Sequence, residues 1–93
     1  MSLDMELLET QPTIKVRVGL HIISSVVPRI LDDSIFIGER VALAYSWYLF
    51  MCKISLCPDV PKEMSKWGLN ELQKVAEALI DYARKLLKDY LSV

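Results

Sequence analysis

The last quarter of the chain constrains its fold most. Leu69, Leu72, Ala76, Leu79, Ala83, Leu86 and Tyr90 follow one another at steps of three, four, three, four, three and four. That alternation is the heptad spacing of an α-helix that buries one stripe. Val75, Ile80, Leu87 and Leu91 widen the stripe beyond what a two-stranded coiled coil requires. Glu77, Asp81 and Lys85 fall on the outer side, with Asp81 and Lys85 in favourable order for an i,i+4 pair. A helix over residues 69–91 spans roughly 35 Å at about 1.5 Å per residue. A compact globule of 93 residues has a radius of gyration near ~12 Å and is therefore only about 30 Å across. Such a helix crosses the whole molecule or projects from it. The small residues Ala76 and Ala83 leave room on the seam for a second backbone.

Apolar types make up 53% of the chain and charged types 25%, which excludes disorder and a linker protein. The mean hydropathy of +0.29 is high for so small a chain, so a membrane or a partner is expected to cover part of the apolar surface. The membrane reading fails on length. The longest uncharged run, VALAYSWYLFMC at 41–52, holds twelve residues and is bracketed by Glu39, Arg40 and Lys53. A spanning helix needs about twenty. The opening MSLDMELLET is acidic and lacks the basic start of a secretory signal. A soluble cytoplasmic protein is expected. A net charge of −1, with no strongly basic segment, argues against gripping phosphate as the main task.

Residues 1–11 are a short acidic lead ended by Gln11 and Pro12. Ile14, Val16, Val18, Leu20 and Ile22 alternate with Lys15, Arg17, Gly19 and His21, the pattern of a half-buried strand. Residues 26–31, interrupted by Pro28, read as an edge or bulged strand. Asp32, Asp33 and Ser34 form a hairpin turn into a third short strand at 35–37, stopped by Gly38. Residues 41–52 read as a buried helix, with a continuous strand and a strand-to-helix break near 44–46 as competitors. KISLC at 53–57 suggests a return strand, and residues 61–66 a helical turn. The expected class is α+β: three to four short strands in a small sheet with a buried helix, followed by one long amphipathic helix. Residues 1–57 would form the β-rich part and 58–93 the helical segment of a single compact unit.

Chemistry is sparse. The three glycines at 19, 38 and 68 form no phosphate loop, and one histidine, His21, supports no nucleophile–base set. Asp32 and Asp33 are turn acids. Cys52 and Cys57 read as two small buried thiols rather than a disulfide, and a zinc site would lack ligands. No catalytic residue, metal or cofactor is expected. Lys15 and Arg17, sharing one strand face, are the candidate for a weak nucleic-acid contact. Trp47 and Trp67 are expected in the core and at a joint. The partner interface is expected on Leu69, Leu72, Ala76, Leu79, Ala83, Leu86 and Tyr90.

The order IKVRVGLHI, VVPRIL, IFIGERVAL, AYSWYLFMC, KISLC, PDVPKEM and GLNELQKVAEAL resembles the GINS family of DNA-replication proteins, in the subunits that place a small β domain before a helical one. Val41 and Leu43 fit the family's segment before its first helix; Ala44 stands where a proline is usual, and Trp47 falls about one residue late. The resemblance covers roughly residues 14–79, and family members usually continue with a longer helical domain where this sequence offers essentially one long helix. It implies a non-enzymatic scaffold of the replisome, binding a second GINS-type subunit, the MCM helicase and a RecJ-like protein. The competing expectation is a small self-associating regulatory protein that dimerises through residues 69–91.

Overall fold

The structure, a computed structural model, describes the backbone of residues 13–91 and the side chains of residues 13–88. The acidic lead lies outside the described residues. Helix α1 (Ile14–His21) runs through a π-helical turn (Ile22–Val26) into the short α2 (Val27–Ile30). Helix α3 (Ile37–Lys53) follows, then a 3₁₀ turn (Met64–Lys66) and the long α4 (Leu69–Leu91). No strand occurs among the described residues.

The expected α+β class is therefore corrected to all-helical. IKVRVGLHI carries two periods at once. Its alternation suggests a strand, but Val16, Gly19, Ile22, Val26, Val27 and Ile30 also recur at helical steps, and these are the buried ones. Ile14, the first member of the supposed strand face, is 81% exposed. β-Branched residues disfavour a helix only by a few tenths of a kcal/mol each, which a buried face overrides. Thr13 caps the start, its hydroxyl accepting from the Val16 N–H at 3.2 Å.

Pro28 explains the π turn. It has no N–H to donate, and in an α-helix its ring would meet the Ser24 carbonyl. The chain widens instead: the Val27 N–H donates to the Ile22 carbonyl five residues back. The Ser24 hydroxyl donates to the Leu20 carbonyl at 2.6 Å. What reads as a proline-broken strand is one helix with a widened turn.

Arg40 ties that helix to α3. Its side chain is buried, and its Nε donates to the Ile30 carbonyl at 2.8 Å, where a helix end leaves acceptors unsatisfied. Its Nη2 lies 3.6 Å from the exposed Asp33 carboxylate. Between them, Asp32 accepts from the Ser34 hydroxyl at 2.7 Å and from the Ser34 N–H at 2.9 Å. Those two bonds, with a smaller contribution from the Arg40 charge, hold the Asp32 carboxyl below its ordinary value. The turn thus gains stability from ionised Asp32 above the ordinary carboxylate range and loses it as pH falls through the lowered value. Replacing Arg40 with alanine leaves the Ile30 carbonyl unpaired and is expected to cost about 2–3 kcal/mol in chemical denaturation. Arg40→Lys recovers little of it, because lysine lacks the fork that reaches carbonyl and carboxylate together.

Helix α3 ends in a Schellman motif. Ser55 adopts φ 63°, its N–H donates to the Cys52 carbonyl at 3.1 Å, and the Leu56 N–H reaches the Met51 carbonyl at 2.8 Å. This left-handed turn replaces the return strand expected at 53–57. It also doubles the chain back so that Cys52 and Cys57 are disulfide-bonded, their Cα atoms 4.1 Å apart. The reading of two free buried thiols is corrected; Cys57 is exposed. Closing so short a loop contributes about 2 kcal/mol in the chain-entropy account. Reduction is expected to lower the thermal midpoint accordingly, with α4 retained; an unchanged melt under reductant would contradict this.

Helix α4 starts where its spacing predicts. The Glu71 carboxylate accepts from the Gly68 N–H at 2.8 Å, half of a capping box. Its inward face packs along α1 and α3. Leu72, Val75, Ala76, Leu79 and Ala83 are without solvent exposure in a core shared with Ile22, Ile30, Ala44 and Met51. That core draws on both sides of the division expected at residue 57. On the outer side, Asp81 pairs with Arg84 at 3.7 Å rather than with Lys85. Trp67 closes one end of the core, edge-on to Tyr45 and Tyr48 with ring centroids 5.8 and 5.6 Å away.

Candidate interaction surface

The predicted interface residues mostly point inward. Leu72, Ala76, Leu79 and Ala83 are fully buried in the chain's own core, and Leu86 is half-buried against it. Leu69 alone of the described set stands out, 66% exposed at the start of α4. The Tyr90 side chain lies outside the described residues. The seam is already occupied by α1 and α3, and the outward side of α4 is polar: Gln73, Lys74, Glu77, Asp81, Arg84 and Lys85 are all exposed.

Lys15 and Arg17 are exposed on α1. The common strand face that grouped them does not exist. Residues two apart on a helix are separated by about 200° and do not face one another.

Helix α3 also leaves apolar surface uncovered. Between Arg40 and Lys53 this helix carries no charge. A helix stretch this long without charge is normally enclosed over most of its surface. Here only one side is: Val41, Ala44, Tyr48 and Met51 are buried, together with the Arg40 side chain. The opposite side, Glu39, Ala42, Ser46, Leu49 and Lys53, is exposed. Leu49 retains 44% and Phe50 38% of its surface.

An aromatic flank adjoins it. Phe50 meets Trp47 edge-on at 5.2 Å and Tyr82 of α4 at 6.0 Å. Trp47 in turn lies 6.3 Å from the His21 ring. Offset and edge contacts of this kind fix ring positions, so the flank is a formed surface. A second small group, Leu31, Phe36 and Ile37, is exposed around the turn into α3. The Phe36 ring folds over Gly38, where a Cβ would come within 2.6 Å of it.

Sequence reasoning assigns the run at 41–52 to the interior because nothing in it is charged. The signal it lacks is direction: with no charge between 41 and 52 to mark an outer side, the run does not say which side faces the core. No helix among the described residues is long and apolar enough to cross a membrane. No family model, curated protein or solved structure matches the chain.

Proposed function

We propose that the chain is a non-enzymatic helical interaction module that assembles with another protein through the outward face of α3. The observation that carries this reading is the exposure of Leu49 and Phe50 on a helix without charge for three turns. Aromatic and aliphatic residues on a preformed surface are the usual anchors of protein interfaces. Among the described residues the outer side of α4 is polar apart from Leu69 at its start.

Membership of a replication scaffold is an extension that rests on the resemblance to GINS. The strand order behind that resemblance is replaced by helices, which leaves the extension to direct test. A photo-activatable phenylalanine analogue at Leu49 is expected to capture a protein in the cells the chain comes from. The same group at Gln73 on α4 is not. Capture at neither position would remove the module reading. MCM helicase, a RecJ-like protein or a second GINS-type subunit among the captured chains would support the extension, and their absence would remove the extension alone. A cytoplasmic location belongs to the same proposal. A reducing cytoplasm would break the Cys52–Cys57 bond, so alkylation of both thiols in fresh lysate is its test.

A further inference from the structure

The geometry of α3 points to a second copy of this chain as the occupant of its outward face, in antiparallel register about a two-fold axis beside Ser46. The inference rests on the reading of that face as the interface and adds the partner and its orientation.

Glu39, Ala42, Ser46, Leu49 and Lys53 are exposed at steps of three, four, three and four, a heptad seam on the outer side of α3. It is a second seam, distinct from that of α4, and it is bounded by opposite charges. Glu39 lies seven residues before Ser46 and Lys53 seven residues after it. An antiparallel pair centred there sets Glu39 against Lys53 of the second copy at both ends. A parallel pair would set like charge against like. Among the described residues neither Glu39 nor Lys53 has an ion-pair partner within the chain.

Size complementarity follows the same axis. Ala42, four residues before it, meets Leu49 and Phe50 of the second copy, three and four residues after it. The small Ser46 sits where the two helices approach most closely. The opposed macrodipoles of antiparallel helices add to the preference. A two-fold interface must complement itself, and this strip does so in both charge and size.

The area gives the size class of the contact. A 17-residue helix is about 25 Å long and roughly 10 Å wide. Its projected strip is well under the ~800 Å² per partner of a standard interface. The dimer is therefore weak and reversible, in the regime of transient contacts.

The test is sedimentation equilibrium of the purified chain from about 0.01 to 1 mM at low salt, where surface charges are least screened. The parent is expected to approach twice its 10.7 kDa mass. Glu39→Lys and Lys53→Glu each place like charges at both ends of their own dimer and should weaken association about tenfold. Mixing the two variants pairs a chain basic at both positions with a chain acidic at both. Opposite charges then meet at each end, and association returns to at least the parent level. Ser46→Arg, which brings two guanidinium groups together on the axis, abolishes the dimer while circular dichroism stays helical. A parent that remains monomeric to about 1 mM, a mixture no stronger than its components, or a dimer of parent strength with Ser46→Arg would each overturn the inference. If the purified chain stays monomeric while Leu49 captures a different protein in cells, the module reading stands and the second copy is excluded.

Discussion

Leu79→Ala is expected to lower the unfolding free energy by about 3–4 kcal/mol in chemical denaturation. Leu79 is fully buried on the inward face of α4, in the core it shares with α1 and α3. Removing its branched end costs the transfer of those carbons and leaves a cavity that three packed helices close poorly. A domain of this size holds only about 5–10 kcal/mol in total, so the variant loses a large share. Leu69→Ala, on the same seam in sequence but exposed in the fold, should change stability by less than about 0.5 kcal/mol. The pair discriminates two uses of the seam. Were it reserved for a partner, Leu79→Ala would leave the isolated chain's stability unchanged and weaken only association.

Gly19→Leu is expected to cost about 3 kcal/mol or more. Gly19 is buried where α1 crosses α4. A Cβ there would lie 2.9 Å from Leu87 Cγ, 3.2 Å from Leu87 Cδ2 and 3.4 Å from the Ala83 carbonyl oxygen. Leu87 is itself fully buried and has little room to move, so a leucine at 19 forces the helices apart. Gly19→Ala shows the balance more finely. Alanine favours a helix over glycine by about 1 kcal/mol, and the contact with Leu87 opposes that gain. In a Leu87→Ala background the obstacle is gone, and Gly19→Ala should then stabilise by about 1 kcal/mol. A double-mutant cycle reads the difference as a coupling between the two sites. Equal effects of Gly19→Ala in both backgrounds would contradict the close crossing.

How much of this is legible in the sequence depends on whether a segment carries one period or two. Helix α4 is legible because its positions sort cleanly: apolar residues inside, and Gln73, Lys74, Glu77 and Asp81 outside. Residues 14–22 carry both periods, and the shorter one misleads. The helical set becomes evident only when Val26, Val27 and Ile30 are joined to it, and Pro28 conceals that continuity behind a π turn. The hairpin expected at 32–34 is a real turn, with Asp32 and Ser34 bonded as expected of such residues. It joins helices, because turn chemistry does not specify what it connects. For α3, the helix is legible and its orientation is not, since residues 41–52 carry no charge and only the packed neighbours decide which side is enclosed. The Cys52–Cys57 bond requires knowing that Ser55 takes a left-handed conformation, which no spacing rule supplies. The candidate site meets the same limit. A seam seen in sequence reports that a stripe will be buried, and leaves open whether the chain itself or another chain buries it.

Among the described residues, Leu72, Ala76, Leu79 and Ala83 of the α4 seam are enclosed within the molecule, while the outward face of α3 is exposed. Thermal melting of Leu79→Asp and Leu49→Asp separates that arrangement from its opposite. The melts are followed by circular dichroism at a concentration low enough to keep the chain monomeric. A carboxylate at 79 is buried without a partner and should leave no cooperative helical transition. One at 49 meets water, and its melt should overlay that of the parent within the small range of surface substitutions. A folded Leu79→Asp variant beside an unfolded Leu49→Asp variant would contradict the arrangement.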